Sequence, residues 1–444
     1  MLFWSGMTRS HATPELAGFR ARTPLLVTDV AVLDPADGTV TTHQDILIEH
    51  GRVAEVGTAR HAAADVLDGT GSVAMPGLWD MHVHTFDETT LPKFLARGVT
   101  GIRHMGGAPI HQEWRTRLRA GDWLAPRMVF ASPIVDGPRP SRPGSIAVAD
   151  AEQGRAAVAK CVADNAEFVK VYSQLPADAH AAIAAACRTE GIPFAGHVPF
   201  EVPIGTAARS GQRSIEHLDG LALGTSSAET EIRHRLSTLD PSEPAAMFDR
   251  MSRLDHRAAT THDPARLAEL CRLFLAHETW HVPTLAVLHA KATVGTADFP
   301  LTPYIPDIEP MLRPAWERVG SWVPDHATRD REQAVFQHSL DLTGELHHAG
   351  IPLLAGTDTF VAGHSLHDEL ALLVRAGLTP LDALRAATTA PARFLGVADR
   401  FGAIAAGMAA DFVLLDANPL DDIANTRRVR AVVVGGGHLG GTGQ

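Results

Sequence analysis

The sequence predicts an α/β protein: a (β/α)₈ barrel of the TIM type with a small β-sandwich formed from both chain ends. Three observations predict it. Between about residues 73 and 402, eight apolar strand-like runs alternate with Ala-, Leu- and Arg-rich helical stretches. Both ends of the chain read instead as short strands and turns. Residues of metal-ligating type fall at the ends of the strand-like runs, where barrels of this kind carry their sites.

In chain order, residues 1–23 begin with a short apolar start and then turn charged and polar, without a signal-peptide core or cleavage site. They read as a loose N-terminal extension, with Met7 as an alternative start. Strand-like runs follow at Leu25-Leu-Val-Thr-Asp-Val-Ala-Val-Leu, Asp45-Ile-Leu-Ile and Arg52-Val-Ala-Glu-Val, with a turn at Pro35-Ala-Asp-Gly. The far end carries Asp411-Phe-Val-Leu-Leu-Asp and Val429-Arg-Ala-Val-Val-Val. Such strands are not stable alone, so the two ends are expected to pair into one sandwich over 24–72 and 403–440. The barrel is then a single insertion, 73–402. Its eight runs are 75–84, 99–105, 127–133, 168–173, 193–198, 214–218, 281–285 and 352–358. Helices are expected at 151–166, 178–190 and 379–390, the last entered through Thr379 as N-cap with Pro380 at N1. The connections 219–279 and 288–347 are too long for one βα unit and predict extra helices or a lid.

Composition narrows the function. At 45% hydrophobic and 20% charged residues the chain is an ordinary globular protein, and its net charge of -12 argues against nucleic acid and anionic membranes as partners. Cys161, Cys187 and Cys271 are too few and too scattered for a disulfide framework or a zinc knuckle. No run reaches the length of a membrane span. A cytoplasmic protein acting on a small molecule is expected.

His82-Val83-His84 places two imidazoles on one face of an extended segment, half of a metal site. Lys170 ends the fourth run, His197 the fifth, His217 the sixth and Asp358 the eighth. Four neutral nitrogens and a carboxylate suit zinc, or another first-row divalent ion. Lys170 is the odd member. Burial depresses a lysine's pKa, and an unprotonated amine can take up CO₂ to become a carbamate that bridges two metals. The chain has only four lysines, so a lysine kept here is informative. Taken singly, each residue has a plainer reading: a buried core histidine, a helix N-cap for Asp358, an ion pair or snorkelling for Lys170. All six in strand-end positions, in order, favour the metal.

These motifs resemble the amidohydrolase superfamily, in the branch of imidazolonepropionase-like and prolidase-like (Xaa-Pro dipeptidase-like) metal hydrolases. The resemblance rests on Met75-Pro-Gly-Leu-Trp-Asp-Met-His-Val-His, Lys170, Gly196-His-Val-Pro, Ser214-Ile-Glu-His, Ala355-Gly-Thr-Asp, Ser365-Leu-His-Asp-Glu-Leu, Gly377-Leu-Thr-Pro-Leu-Asp-Ala-Leu-Arg-Ala-Ala-Thr and Ala409-Ala-Asp-Phe-Val-Leu-Leu-Asp. It implies two divalent metal ions: His82, His84 and Asp358 on the first, His197 and His217 on the second, carboxylated Lys170 bridging. Imidazolonepropionase-type sites use one metal and no carbamate, so Lys170 favours the prolidase-like side. Barrels of this family often self-associate, which allows a homo-oligomer.

The expected reaction is cleavage of a small amide, a dipeptide or N-acyl amino acid, by a metal-bridging hydroxide, with Asp358 and Lys170 the catalytic pair and Asp358 general base, then acid. A cyclic amide, lactone, carbamate or phosphotriester is the alternative at the same centre; a non-catalytic barrel scaffold is the rival from another class. Tyr172, two residues after Lys170, faces the same way and is a candidate for the substrate carbonyl or oxyanion. His104 stands where relatives usually carry an aspartate and is a second substrate-binding candidate. The loop 137–144, Gly-Pro-Arg-Pro-Ser-Arg-Pro-Gly, is stiff and basic; Arg139 or Arg142 suits a carboxylate, and a solvated loop is the plainer reading. His281 reads as a core residue, and His367 as support behind Asp358.

Overall fold

The computed structural model describes residues 13–59, 64–236 and 244–440; Met7 lies outside them. The fold is an α/β barrel of TIM type, with a sheet domain contributed by both ends of the chain.

Seven short parallel barrel strands are Leu78–Val83, Val99–His104, Arg127–Phe130, Val169–Val171, Phe194–Gly196, Ser214–Glu216 and Trp280–Val282. The first three pair as one sheet and the others as a second. A parallel bridge, Ala131 to Phe168, joins the two sheets. The eighth run forms no ladder. It closes the ring through a bridge from Leu353 to His281 and through backbone bonds to the first strand: Met81 N–H to Ala355 O and Asp358 N–H to His82 O, both 2.9 Å. Inward side chains from most of the strands, among them Met81, Met105, Val129, Ala195, Val282 and Leu354, fill the barrel in one buried cluster.

The first run, expected to be continuous over 75–84, is broken. Val73–Pro76 belongs to the outer sheet, and the barrel strand starts at Leu78. Gly77 makes the crossing: a Cβ there would lie 2.0 Å from Thr100 Oγ1, so only glycine lets the chain pass from one sheet into the other. The outer sheet runs Gly437–Gly440, Val429–Val434, Phe412–Leu415, Val73–Pro76, Leu25–Leu33, Val40–Glu49, Arg52–Gly57, with Asp65–Asp68 on Leu25–Leu33. It is seated on the barrel by a buried bidentate pair, Arg127 Nε and Nη2 to Asp411 at 2.8 and 3.0 Å.

Residues 13–23 are laid against this body rather than loose. Leu16 is buried in the barrel cluster, and Arg400 donates to the carbonyls of Pro14 and Glu15. The long connections hold the extra helices expected. Leu221–Thr225, Glu229–Leu236, Pro244–Thr260 and Pro264–Ala276 fill the first; Arg313–Ser321 and His326–His348 stand in the second. Thr379 caps Pro380–Ala387 by accepting from Asp382 N–H. Among the described residues, no helix is long and apolar enough to cross a membrane.

Candidate metal centre

His82, His84, Lys170, His197, His217 and Asp358 all stand at strand ends on one mouth of the barrel. The backbone is contorted there. Of eleven described non-glycine residues with positive φ, five lie at this mouth: His217, Leu218, Thr284, Asp358 and Phe360. Such conformations persist only where the surroundings hold them.

Asp358 faces both halves of the cluster. Its Oδ1 lies 3.7 Å from His82 Nε2 and 3.4 Å from His84 Nε2, and its Oδ2 lies 3.8 Å from His217 Nε2. His82, His217 and Asp358 offer ligand atoms within 4.8 Å of one another, close enough to share one ion. This grouping cuts across the expected division, which put His217 with His197. Asp358 does not cap a helix; the next helix, His364–Arg375, begins after Gly363. The ring of His197 lies 4.8 Å from that of His217.

Two buried nitrogens here have no hydrogen-bond partner, His82 Nε2 and Lys170 Nζ. Orphaned polar atoms at this depth are costly unless something absent from the chain itself satisfies them. A divalent ion suits His82, and a carboxyl group or ion suits Lys170, so the donor set fits metal. Burial pulls Lys170 down to about 8, opposed by the Glu216 and Asp358 carboxylates. Burial, reinforced by the charge of Lys170, holds His82, His84 and His197 well below the usual imidazole range; His217 is lowered by burial and by His197. These histidines are therefore neutral, as metal ligation requires.

Three of the candidate ligands, His82, His197 and His217, are backed by partners that sequence reasoning missed. Glu216 Oε2 takes His82 Nδ1 at 2.9 Å, and Arg103 Nη2 pairs with both Glu216 oxygens at 2.9 Å. Asp80 accepts from His82 N–H, Thr357 N–H and Thr357 Oγ1. Asp219 and Ser173 each lie 2.8 Å from His197 Nδ1, and Thr284 Oγ1 lies 2.8 Å from His217 Nδ1. Carboxylates inside apolar strand ends were the available signal, since an unpaired one would be costly there.

The other candidates divide. Tyr172 lies at the site, its ring 3.9 Å from that of His197 and its hydroxyl accepting from Arg142 Nε at 3.3 Å. His104 is fully buried behind His84, with ring centroids 5.9 Å apart. Its Nε2 lies 2.8 Å from Thr85 O, and its Nδ1 accepts from Gly106 N–H. Those contacts support the loop that follows His84. His281 is a core residue against Phe274. His367 does not stand behind Asp358: it spans Arg97 O and Thr426 Oγ1, tying its helix toward the outer sheet.

A model of the amidohydrolase family matches residues 73–439. The structure of a bottromycin amidohydrolase superposes with a TM-score of 0.74 at 27% identity, covering 98% of this chain and 91% of that one. A Xaa-Pro dipeptidase with bound methionine superposes with a TM-score of 0.68 at 18% identity, covering 94% and 100%. Among curated sequences, the dihydroorotase of Syntrophotalea carbinolica is 45% identical over 64 residues, a stretch that is 14% of this chain and 15% of that protein.

Proposed function

The chain belongs to the amidohydrolase family, a hydrolase of carbon–nitrogen bonds, and we propose that it cleaves a small amide, a dipeptide or an N-acyl amino acid. The observation that carries the reading is the pair of buried, unpartnered nitrogens, His82 Nε2 and Lys170 Nζ, beside the carboxylate of Asp358. The likeness to a bottromycin amidohydrolase, at 27% identity over nearly the whole chain, supports amide chemistry.

His82, His84 and Asp358 would hold one divalent ion, zinc before others, and His197 and His217 a second, with Asp358 near enough to His217 to serve either ion. Lys170, as the amine that takes up CO₂ and releases a proton, would join them as a carbamate. Two such ions, when bound, supply an activated water and a polarised carbonyl. Asp358 takes the proton of the attacking water on its carboxylate and delivers it to the departing amine nitrogen, base and then acid. Tyr172, whose hydroxyl oxygen already accepts from Arg142, keeps its own proton to donate to the carbonyl oxygen as that atom gains charge. Glu216 holds His82 in the tautomer that leaves Nε2 as a donor to metal.

Asp358→Asn tests the central assignment. Turnover should fall by about 10²–10⁴ while most metal is retained; unchanged turnover would remove Asp358 from the reaction. A carbon-13 carbamate resonance should appear in metal-loaded protein given labelled bicarbonate and vanish in Lys170→Arg. A screen of dipeptides, N-acyl amino acids, cyclic amides and lactones on the zinc-loaded protein identifies the bond. Activity confined to lactones overturns the amide reading.

A further inference from the structure

The loop after the third barrel strand carries a cation to the mouth of the centre, and the loop is built to hold it there. Val135–Asp136 and Ile146–Ala147 pair at its base. Asp136 is fully buried and serves both sides of the junction. Its Oδ2 accepts from Ser141 N–H and Ser141 Oγ at 3.1 Å, and its Oδ1 accepts from Gln174 N–H at 2.9 Å, two residues beyond Tyr172. At Gly137 a Cβ would lie 2.1 Å from Gln174 O, so the loop rests directly on the end of the fourth strand. Pro138, Pro140 and Pro143 restrict the backbone between these fastenings.

Arg142 is what this loop presents. Its Nε donates to the hydroxyl of Tyr172 at 3.3 Å, and Tyr172 lies on the ring of His197. Through Tyr172 it stands beside the His197 side of the cluster. Among the described residues no carboxylate lies within ion-pair distance of it, and its two Nη groups are left for a ligand. A guanidinium in this position offers two parallel donors to a planar anion.

We propose that Arg142 is the subsite for a substrate carboxylate, so that the enzyme selects amides bearing a free carboxylate over their neutral counterparts. The inference rests on the amide reading above and narrows it. An N-acyl amino acid, or a dipeptide with a free C-terminus, would place its carboxylate on Arg142 and its carbonyl oxygen near Tyr172. Lactones, phosphotriesters and neutral cyclic amides have no group for this cation. Arg142 binds the substrate, Tyr172 is held between it and the carbonyl, and Asp136 is a positioning residue that acts only through the loop.

The test uses matched pairs: N-acetyl amino acids and dipeptides, each beside its C-terminal amide, on the metal-loaded full-length protein. In the native protein the acid should exceed its amide in kcat/KM by about tenfold, the scale of a charge-assisted hydrogen bond to a solvent-exposed guanidinium. In Arg142→Gln that ratio should collapse to within about threefold of one, with the loss on the acid mainly in KM, and Arg142→Lys should recover part of it. A native ratio near one, or a ratio unchanged in Arg142→Gln, overturns the subsite. Should neither member of any pair be cleaved, the amide reading fails. The subsite is then judged by calorimetric binding of N-acetyl amino acids against their amides, which Arg142→Gln must equalise. A carboxylate held by the metals alone would keep its full preference in that variant.

Discussion

His82 and His197 both stand at barrel-strand ends, yet their backing differs in kind. His82 is 1% exposed in its side chain and leans on Glu216, 0% exposed, which is paired in turn with Arg103. His197 is 13% exposed and leans on Asp219, itself 32% exposed, and on the hydroxyl of Ser173. His217 is held by another hydroxyl, that of Thr284. One half of the centre is fastened by a buried ion pair inside the barrel, the other by hydroxyls and a carboxylate at the rim. A buried pair is expensive to assemble and more expensive to break, so it fixes geometry even without metal. The rim contacts cost little to lose, so the second half should depend on metal for its order.

The largest expected effect lies in the first half. Glu216→Ala strands the Arg103 guanidinium, and chemical denaturation should show a loss of about 3–5 kcal/mol; a loss below about 1 kcal/mol would mean the ion pair does not hold this half. In the second half, Asp219→Ala should weaken metal binding about 10–100-fold in a chelator titration. The stability of the metal-free protein should change by less than about 1 kcal/mol. If Asp219→Ala cost as much stability as Glu216→Ala, the two halves would be built alike. Thr284→Val, which removes one hydroxyl from His217, should weaken metal binding about tenfold, the low end of such effects.

The smallest effect reaches the centre at one remove. Glu369 is fully buried and accepts from Ala286 N–H at 2.7 Å, fixing the helix that begins beside Thr284. Burial lifts its carboxyl from 4.5 to about 8, with the amides of Ala286 and Leu285 opposing. Between those values the unfolded chain has released a proton that the folded chain keeps. Its contribution to stability is therefore full below about pH 4.5 and lost as pH rises through about 8. Glu369→Gln should leave Tm unchanged at pH 5 and raise it by about 2–4 °C at pH 9. An equal shift at both pH values would show that the proton is not involved.

The barrel, and the gathering of six ligand-type residues at one mouth of it, were readable because strand periodicity and strand-end position are local properties. The backing was not, because it is made by residues far apart in the chain. Glu216 sits beside His217 in sequence but serves His82, 134 positions away. It can do so because His217 and Leu218 take left-handed conformations where the strand ends, so the alternation that assigns faces stops there. His367 misled for the same reason: nearness to Asp358 in sequence says nothing about Thr426, its true neighbour. The split at Gly77 was hidden because an apolar run reads the same whether it serves one sheet or two.

That split governs how the molecule comes apart. The segment carrying His82 and His84 is the continuation of an outer-sheet strand, with a single glycine between them and Gly77 N–H bonded to Asp411 O at 3.0 Å. Asp411 also takes the buried pair from Arg127 on the third barrel strand. Neither core can lose its strand without disturbing the other, so heating should melt both in a single cooperative transition. A barrel cut free of its outer sheet would lose the mounting of His82 and His84, its first two candidate ligands, along with the sheet.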